Sequence, residues 1–270
     1  MIKLHERLSE FSYGYGITRE TLDLLASVGR HAVPFLPSLI HENELGFDVA
    51  FSAPGAVLML QFKLGEQLSR FRKTSSTQTV PDLARPFWRF GVHTGEEQFK
   101  RLRAFEQEGA EVYYVAPRFS DWRRYEALFR DRQVLDQSLL ITPLQIDAAT
   151  PGPGAAHRVV YDRSRRHVCS EPVEMPEVSV GQYLERLLAR AAQTADPLAL
   201  TIKRLSEPVQ PAGVAVRRLL PRQRDLIYAR ARTPVEGDAA IVALEAWLQG
   251  AQTIFIGVRA DSSAPSPAGH

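Results

Sequence analysis

Two apolar runs separated by a short turn constrain the fold more than any other part of this sequence. Residues 47–51 and 57–63 are both rich in side chains that favour β-strands. Between them, residues 52–55 contain the Pro-Gly pair typical of tight turns. The pattern predicts a β-hairpin, and the nearly continuous apolar character of both strands indicates that at least one face of it is covered.

Three polar side chains interrupt this apolar pattern, namely Asp48, Gln61 and Lys63. If the loop has an even number of residues centred on Pro54 and Gly55, Asp48 lies opposite Gln61, with Cβ atoms about 4.5–5.5 Å apart. Lys63 then shares a face with Gln61, because side chains alternate along a strand. An odd-numbered loop instead puts Asp48 and Gln61 on opposite faces.

A carboxylate, an amide and a lysine on one face suit metal-dependent phosphodiester chemistry. Mg²⁺ prefers oxygen ligands, and the candidates are the Asp48 carboxylate, the Gln61 side-chain carbonyl and the backbone carbonyl of Phe62. Lys63 is the candidate for positioning the attacking water or stabilising charge on phosphorus. We therefore expect a catalytic site with Mg²⁺ or Mn²⁺ as cofactor. The alternative is that these residues are ordinary solvent-facing side chains of a strand pair.

One carboxylate and one amide hold a dication weakly, so a further acid is expected. Glu10, Glu42 and Glu44 are the candidates, each with a plain surface acid as the alternative. Glu10 is preferred because it lies within the apolar segment formed by residues 8–15. The predicted catalytic set is therefore Asp48, Gln61, Lys63 and Glu10.

The Gly-Phe-Asp at residues 46–48 and the Gln-Phe-Lys at residues 61–63 resemble the motif of the PD-(D/E)XK, or restriction-endonuclease-like, nucleases, in the Mrr-like branch that carries glutamine in place of the second acid. The order of elements agrees over roughly residues 5–147. The resemblance implies an α/β fold with a mixed central β-sheet flanked by helices. It also implies hydrolysis of nucleic acid, with DNA preferred over RNA as the substrate, in defence against foreign DNA. A homodimer or a complex with a protein partner is a further expectation.

Two alternatives to an active nuclease stay open. The first follows from the glutamine in place of the acid: the chain keeps the nuclease-like fold without its activity and acts as a nucleic-acid-binding or scaffolding subunit. The other alternative is an unrelated α/β protein in which the polar residues are structural. An additional acid near Asp48, Gln61 and Lys63 in one cleft would argue against the unrelated protein.

The remaining elements follow from hydrophobic period, caps and breakers. Helices are predicted at residues 17–28 with Thr18 as N-cap, 94–109, 121–135, 180–205 with a break at Pro197, and 235–249; strands are predicted at 111–116, within 138–146, and at 253–258, where the strand joins an edge of the main sheet. The predicted organisation is a nuclease-like α/β core at 1–170, a mainly helical C-terminal extension at 171–260 that ends in a short strand, and a disordered tail at 261–270.

Composition sets wider limits. The 270 residues are 44% hydrophobic, which predicts a globular protein, and the charged N-terminal segment is not typical of a signal peptide. Cys169 is the only cysteine, so no disulfide forms within the chain, and we expect a cytoplasmic protein without a membrane partner. The net charge is only +2, but arginines cluster at 123–124, 163–166 and 217–224. They suit phosphate contact, with solvated surface charge as the alternative.

Overall fold

Two five-stranded sheets organise this α/β chain. The computed structural model describes residues 8–35, 47–70, 82–150, 152, 154–169, 172–176, 178–193, 197–207 and 219–259. The helices in these ranges are α1 (Glu10–Ser27), α2 (Glu97–Gln107), α3 (Trp122–Asp131), α4 (Pro143–Ala149), α5 (Val180–Gln193), α6 (Leu198–Ser206), α7 (Pro221–Arg230) and α8 (Pro234–Leu248). The strands are β1 (His31–Pro34), β2 (Ala56–Phe62), β3 (Glu66–Leu68), β4 (Phe87–His93), β5 (Glu111–Pro117), β6 (Ser138–Ile141), β7 (Ala156–Tyr161), β8 (Arg166–Cys169), β9 (Pro172–Glu174) and β10 (Ala251–Gly257).

The central sheet is mixed and has the order β1-β10-β2-β5-β6. Strand β10 is antiparallel to both of its neighbours, β1 and β2. Strands β2 and β5 are parallel, and β6 is antiparallel to β5. Helices or the second sheet cover both faces, which is why β2, β5 and β10 are nearly continuous apolar runs.

The second sheet is antiparallel, in the order β3-β4-β7-β8-β9, and packs on one face of the central sheet. Helices α2, α6 and α8 share that face, and the rings of Phe90 and Tyr114 join the two sheets at 6.2 Å between centroids. Helices α1, α3 and α5 cover the opposite face. The α/β class predicted from the sequence is therefore confirmed, whereas the second sheet was not predicted.

The predicted β-hairpin is wrong. Strand β2 pairs with β10 and β5, and residues 47–51 form no strand. Instead, the Ala50 amide donates to the carbonyl of Val258 at 3.0 Å. The rings of Phe47 and Phe51 pack on Phe255 with centroids 5.4 and 6.0 Å away. The apolar run of β10, distant in sequence, supplies the antiparallel partner that the local pattern assigned to residues 47–51.

Helix α1 begins earlier than predicted. Its N-cap is Ser9, whose hydroxyl accepts from the Ser12 amide, whereas Thr18 lies inside the helix and donates to Gln252. The early start depends on Gly14, because a Cβ there would lie 2.7 Å from the Phe62 ring. Glycine in the first turns permits close packing on the sheet, although it is a poor helix former.

Several other predictions can be compared directly with the structure. Helices α2, α3 and α8 and strand β5 lie where they were expected, and α5 and α6 are separated next to Pro197. Strand β10 lies inside the central sheet and not at an edge. The predicted boundary at residue 170 falls between β8 and β9 of one sheet. The predicted disordered tail lies outside the described residues. Within the described part of the chain, none of the helices has the length and apolar character needed to cross a lipid bilayer.

The position of β10 in the sheet interior can be tested with Phe255, which is fully buried. We expect Phe255→Ala to lower the free energy of unfolding by about 3–5 kcal/mol, measured by urea denaturation. The matched control is Val258→Ala, because Val258 is 41% exposed just after the strand. The control should change stability by less than about 0.5 kcal/mol. Equal effects of the two variants would contradict an interior position.

Candidate functional site

Asp48 does not lie beside Gln61 and Lys63. Its carboxylate is 3.2 Å from Nε2 of His31 and 3.4 Å from Nε of Arg259, and its side chain is 57% exposed. His31 pairs with Gly257 at one end of β10, whereas Gln61 pairs with Ala251 at the other end. At about 3.4 Å per residue, the two ends are about 20 Å apart. The predicted joint role of Asp48 with these residues as a metal ligand is therefore not supported by the geometry.

Gln61 and Lys63 do share a face at the carboxyl end of β2, as side-chain alternation predicted. The neighbouring Leu60 and Phe62 pack into the cluster on the opposite face. Gln61 is buried, and its Nε2 donates to the carbonyl of Phe62 at 3.3 Å. Its Oε1 has no hydrogen-bond partner among the described residues, so this buried amide is incompletely satisfied.

Lys63 is a partly desolvated cation. Its Nζ donates to Oε1 of Gln98 at 3.4 Å and lies 5.9 Å from the centroid of the Tyr114 ring. Burial lowers the pKa of Lys63 below its ordinary value, and the nearby carboxylates of Glu10 and Glu96 partly offset this shift. A lysine in such a position gains from an anion that replaces the missing water.

The same lysine is linked to the C-terminal part of the chain through Gln98. Nε2 of Gln98 donates to the backbone carbonyl of Gln249 at 2.6 Å, in the turn between α8 and β10. Gly250 in this turn has a φ of +75°, in the left-handed region that favours glycine, and a Cβ there would lie 3.3 Å from the Gln61 amide. The turn and the two glutamines therefore form one packed unit behind Lys63.

Lys63 lines an open cleft of about 390 Å³. The cleft is lined by residues from α1, from the end of β2 and from the second sheet, namely Glu10, Lys63, Leu64, Glu66, Arg89, Phe90, Gly91 and Arg158. Glu10, the preferred additional acid, thus does lie with Lys63. Glu42 and Glu44 lie outside the described residues.

The cleft has an excess of positive charge, with three cations against two carboxylates. The guanidinium of Arg89 is paired with Glu66: its Nη2 and Nε lie 2.8 and 2.9 Å from the same carboxylate oxygen. Arg158 is exposed and lies on the neighbouring strand, where it pairs with Gly91 across the sheet. The side chain of Arg89 is 31% exposed, and a Cβ at Gly91 between the two arginines would contact no atom within 4 Å, so both arginines are accessible from solvent.

The described residues do not fit a Mg²⁺ or Mn²⁺ site. Within the described ranges, no group of three or more His, Cys, Asp or Glu side chains could hold a metal ion. Of the predicted ligands, Asp48 lies at the far end of the sheet from Gln61 and the Phe62 carbonyl. Of the predicted carboxylates that the structure describes, Glu10 lies near Lys63 and Asp48 does not.

Sequence reasoning missed Arg89, Arg158 and Gln98. The alternation of Trp88, Phe90 and Val92 with polar or small residues is a strand signal that could have placed Arg89 on the outer face of β4. No local signal connects Arg158 with Lys63, because their proximity depends on how the two sheets pack.

Comparison with known proteins adds no family assignment: no family model, no curated protein and no solved structure matches this chain significantly.

The burial of Lys63 predicts that its charge destabilises the fold. We expect Lys63→Met to raise the free energy of unfolding at neutral pH by about 1 kcal/mol in urea denaturation. Because the folded-state pKa is lowered, the cost of the charge is full below that pKa and is relieved as the pH rises toward the ordinary lysine value. The advantage of the variant should therefore shrink in alkaline buffer.

The matched control for this experiment is Lys203→Met on α6, where the lysine is exposed. It should leave the stability within about 0.5 kcal/mol of the wild type. A Lys63→Met variant less stable than both proteins would show that the ammonium group is well compensated in the fold, against our description of the site.

Proposed function

We propose that the cleft binds the phosphate backbone of a nucleic acid. The observation that carries the proposal is that Lys63 at the end of β2 and Arg89 and Arg158 on the second sheet line one cleft. Because these three cations come from separate strands and face one cleft, they can contact an extended anion such as a phosphate backbone at several points. Arginine forks and a lysine are the side chains that proteins most often use for phosphate.

The electrostatics of the cleft favour a phosphate over a neutral ligand. Lys63 has lost part of its hydration, and Arg158 is accessible beside it. Glu10 and the ion pair of Arg89 with Glu66 keep the excess charge small, which favours modest, salt-dependent binding. A volume of 390 Å³ is near the lower end of the usual range of about 300–1,000 Å³ for ligand pockets, so the cleft suits a short stretch of backbone.

Hydrolysis is the second candidate, and DNA is its preferred substrate. It is favoured by Gln61 and Lys63 at the carboxyl end of β2, beside the parallel strand β5 and with Glu10 in the same cleft. Defence against foreign DNA is the role that the resemblance to the nuclease superfamily then implies. We place binding first because the described residues do not assemble a metal cage.

The binding proposal predicts a specific loss in a double variant, Lys63→Ala with Arg158→Ala. In fluorescence anisotropy with labelled DNA and RNA, we expect this variant to bind at least about tenfold more weakly than the wild type at low salt. The slope of log K against log salt concentration should fall by about two, because each lost phosphate contact contributes roughly one. Lys203→Ala, which removes an exposed lysine from α6, should bind as the wild type does.

Wild-type protein that binds no nucleic acid at low salt would overturn the proposal, as would binding that the double variant retains. The same samples, incubated with Mg²⁺ or Mn²⁺, decide between binding and hydrolysis. We expect intact oligonucleotides. Cleavage by the wild type that disappears in Lys63→Ala would establish hydrolysis in place of simple binding.

A further inference from the structure

Two aromatic side chains on α1 are exposed to solvent to an unusual degree. Phe11 is 88% exposed and Tyr15 is 60% exposed. They are one helical turn apart, and Arg19 follows after another turn, so all three lie on one face of the helix. We call Phe11, Tyr15 and Arg19 the α1 stripe.

The α1 stripe begins at the cleft. Glu10, the first residue of the helix, lines the cleft and immediately precedes Phe11. Gly14, in the next turn, packs on the ring of Phe62, the residue before Lys63. From Phe11 to Arg19 the stripe extends about 12 Å along the helix axis, at about 1.5 Å per residue.

Two of the three stripe residues, Tyr15 and Arg19, are held in place by α3. The ring of Tyr15 lies 5.8 Å from that of Phe129, and the guanidinium of Arg19 lies 4.6 Å above the same ring. The hydroxyl of Tyr125 donates to the carbonyl of Ser12 at 2.5 Å, which fixes α3 against α1. Tyr15 and Arg19 are therefore ordered by the fold itself, which reduces the entropy that these side chains would lose on binding a ligand.

The chemistry of the stripe favours a nucleic acid over a protein partner. Exposed aromatic patches mark interaction sites in general. Two aromatic rings followed by an arginine, on a path that continues from a cationic cleft, are typical of single-strand binding, in which bases stack on rings and phosphates contact cations. Arg123 and Arg124, exposed in the first turn of α3, add positive charge to the adjoining helix.

We propose that a single-stranded nucleic acid leaves the cleft along the α1 stripe, with bases stacked on Phe11 and Tyr15 and a phosphate on Arg19. This inference rests on the proposed function of the cleft and adds the strandedness of the ligand. A duplex keeps its bases paired and stacked within itself, so it gains nothing from the two exposed rings.

The test compares an oligothymidylate with a duplex of equal length in fluorescence anisotropy, using Phe11→Leu and Tyr15→Leu. Leucine keeps the apolar character but removes the ring. We expect each variant to lose about tenfold in affinity for the single strand and less than about twofold for the duplex. Trp247→Leu is the matched control, because Trp247 is 53% exposed on α8, across the central sheet, and it should bind as the wild type does.

The outcomes separate the two proposals. Binding that depends on Lys63 and Arg158 but is unchanged in both leucine variants overturns the stripe and leaves the cleft intact. Wild-type protein that binds neither oligonucleotide overturns both. Sedimentation velocity tests whether a second copy of the chain occupies the stripe instead. A wild-type dimer that dissociates in Phe11→Ala and persists in Phe11→Leu would identify the stripe as an interface between two copies and would overturn the nucleic-acid proposal for it.

Discussion

The pairing of β10 with β2 is the interaction on which the rest of this structure depends. It places a strand from the last part of the described chain between two strands from the first part. The turn before β10 then lies against Gln98, whose amide contacts both the Gln249 carbonyl and Lys63. The geometry of the cleft is thus coupled to the C-terminal segment, which cannot be removed without opening the central sheet.

The carboxyl end of β2 also shows features that stability alone does not explain. Partial burial lowers the pKa of Lys63. The Oε1 of Gln61 has no hydrogen-bond partner among the described residues. Buried polar groups that are incompletely satisfied cost stability. Groups of this kind concentrate at functional sites, where a ligand supplies the missing interaction. Both residues lie at the carboxyl end of β2, next to the cleft to which the second sheet contributes Arg89 and Arg158.

Local patterns in the sequence predicted the local features. Side-chain alternation placed Gln61 and Lys63 on one face, and helical period with caps and breakers located α2, α3 and α8. The hairpin prediction was wrong because residues 47–51 and β10 are both apolar, and only their packing decides which of them pairs with β2. The start of α1 was misplaced because its glycines serve contacts with Phe62 and Tyr125, which no local pattern reveals.

The cleft itself was predicted only in part, for the same reason. Glu10 and Lys63 were named from the sequence and lie in one cleft, whereas Asp48 was assigned to it through a strand pairing that does not form. Arg89 and Arg158 reach the cleft through the packing of two sheets that are separate in sequence. The metal chemistry inferred from the motif depended on Asp48, and it loses its main ligand when that residue lies at the far end of the sheet.

The most direct test of the central claim is the acetylation rate of Lys63 with and without an oligonucleotide, followed by mass spectrometry. The lowered pKa of Lys63 leaves more of its amine neutral and reactive, and a bound phosphate should block it. We predict that the oligonucleotide slows acetylation of Lys63 several-fold and leaves the exposed Lys203 unaffected. Equal rates at Lys63 in the free and the bound protein would contradict a nucleic-acid site at this cleft.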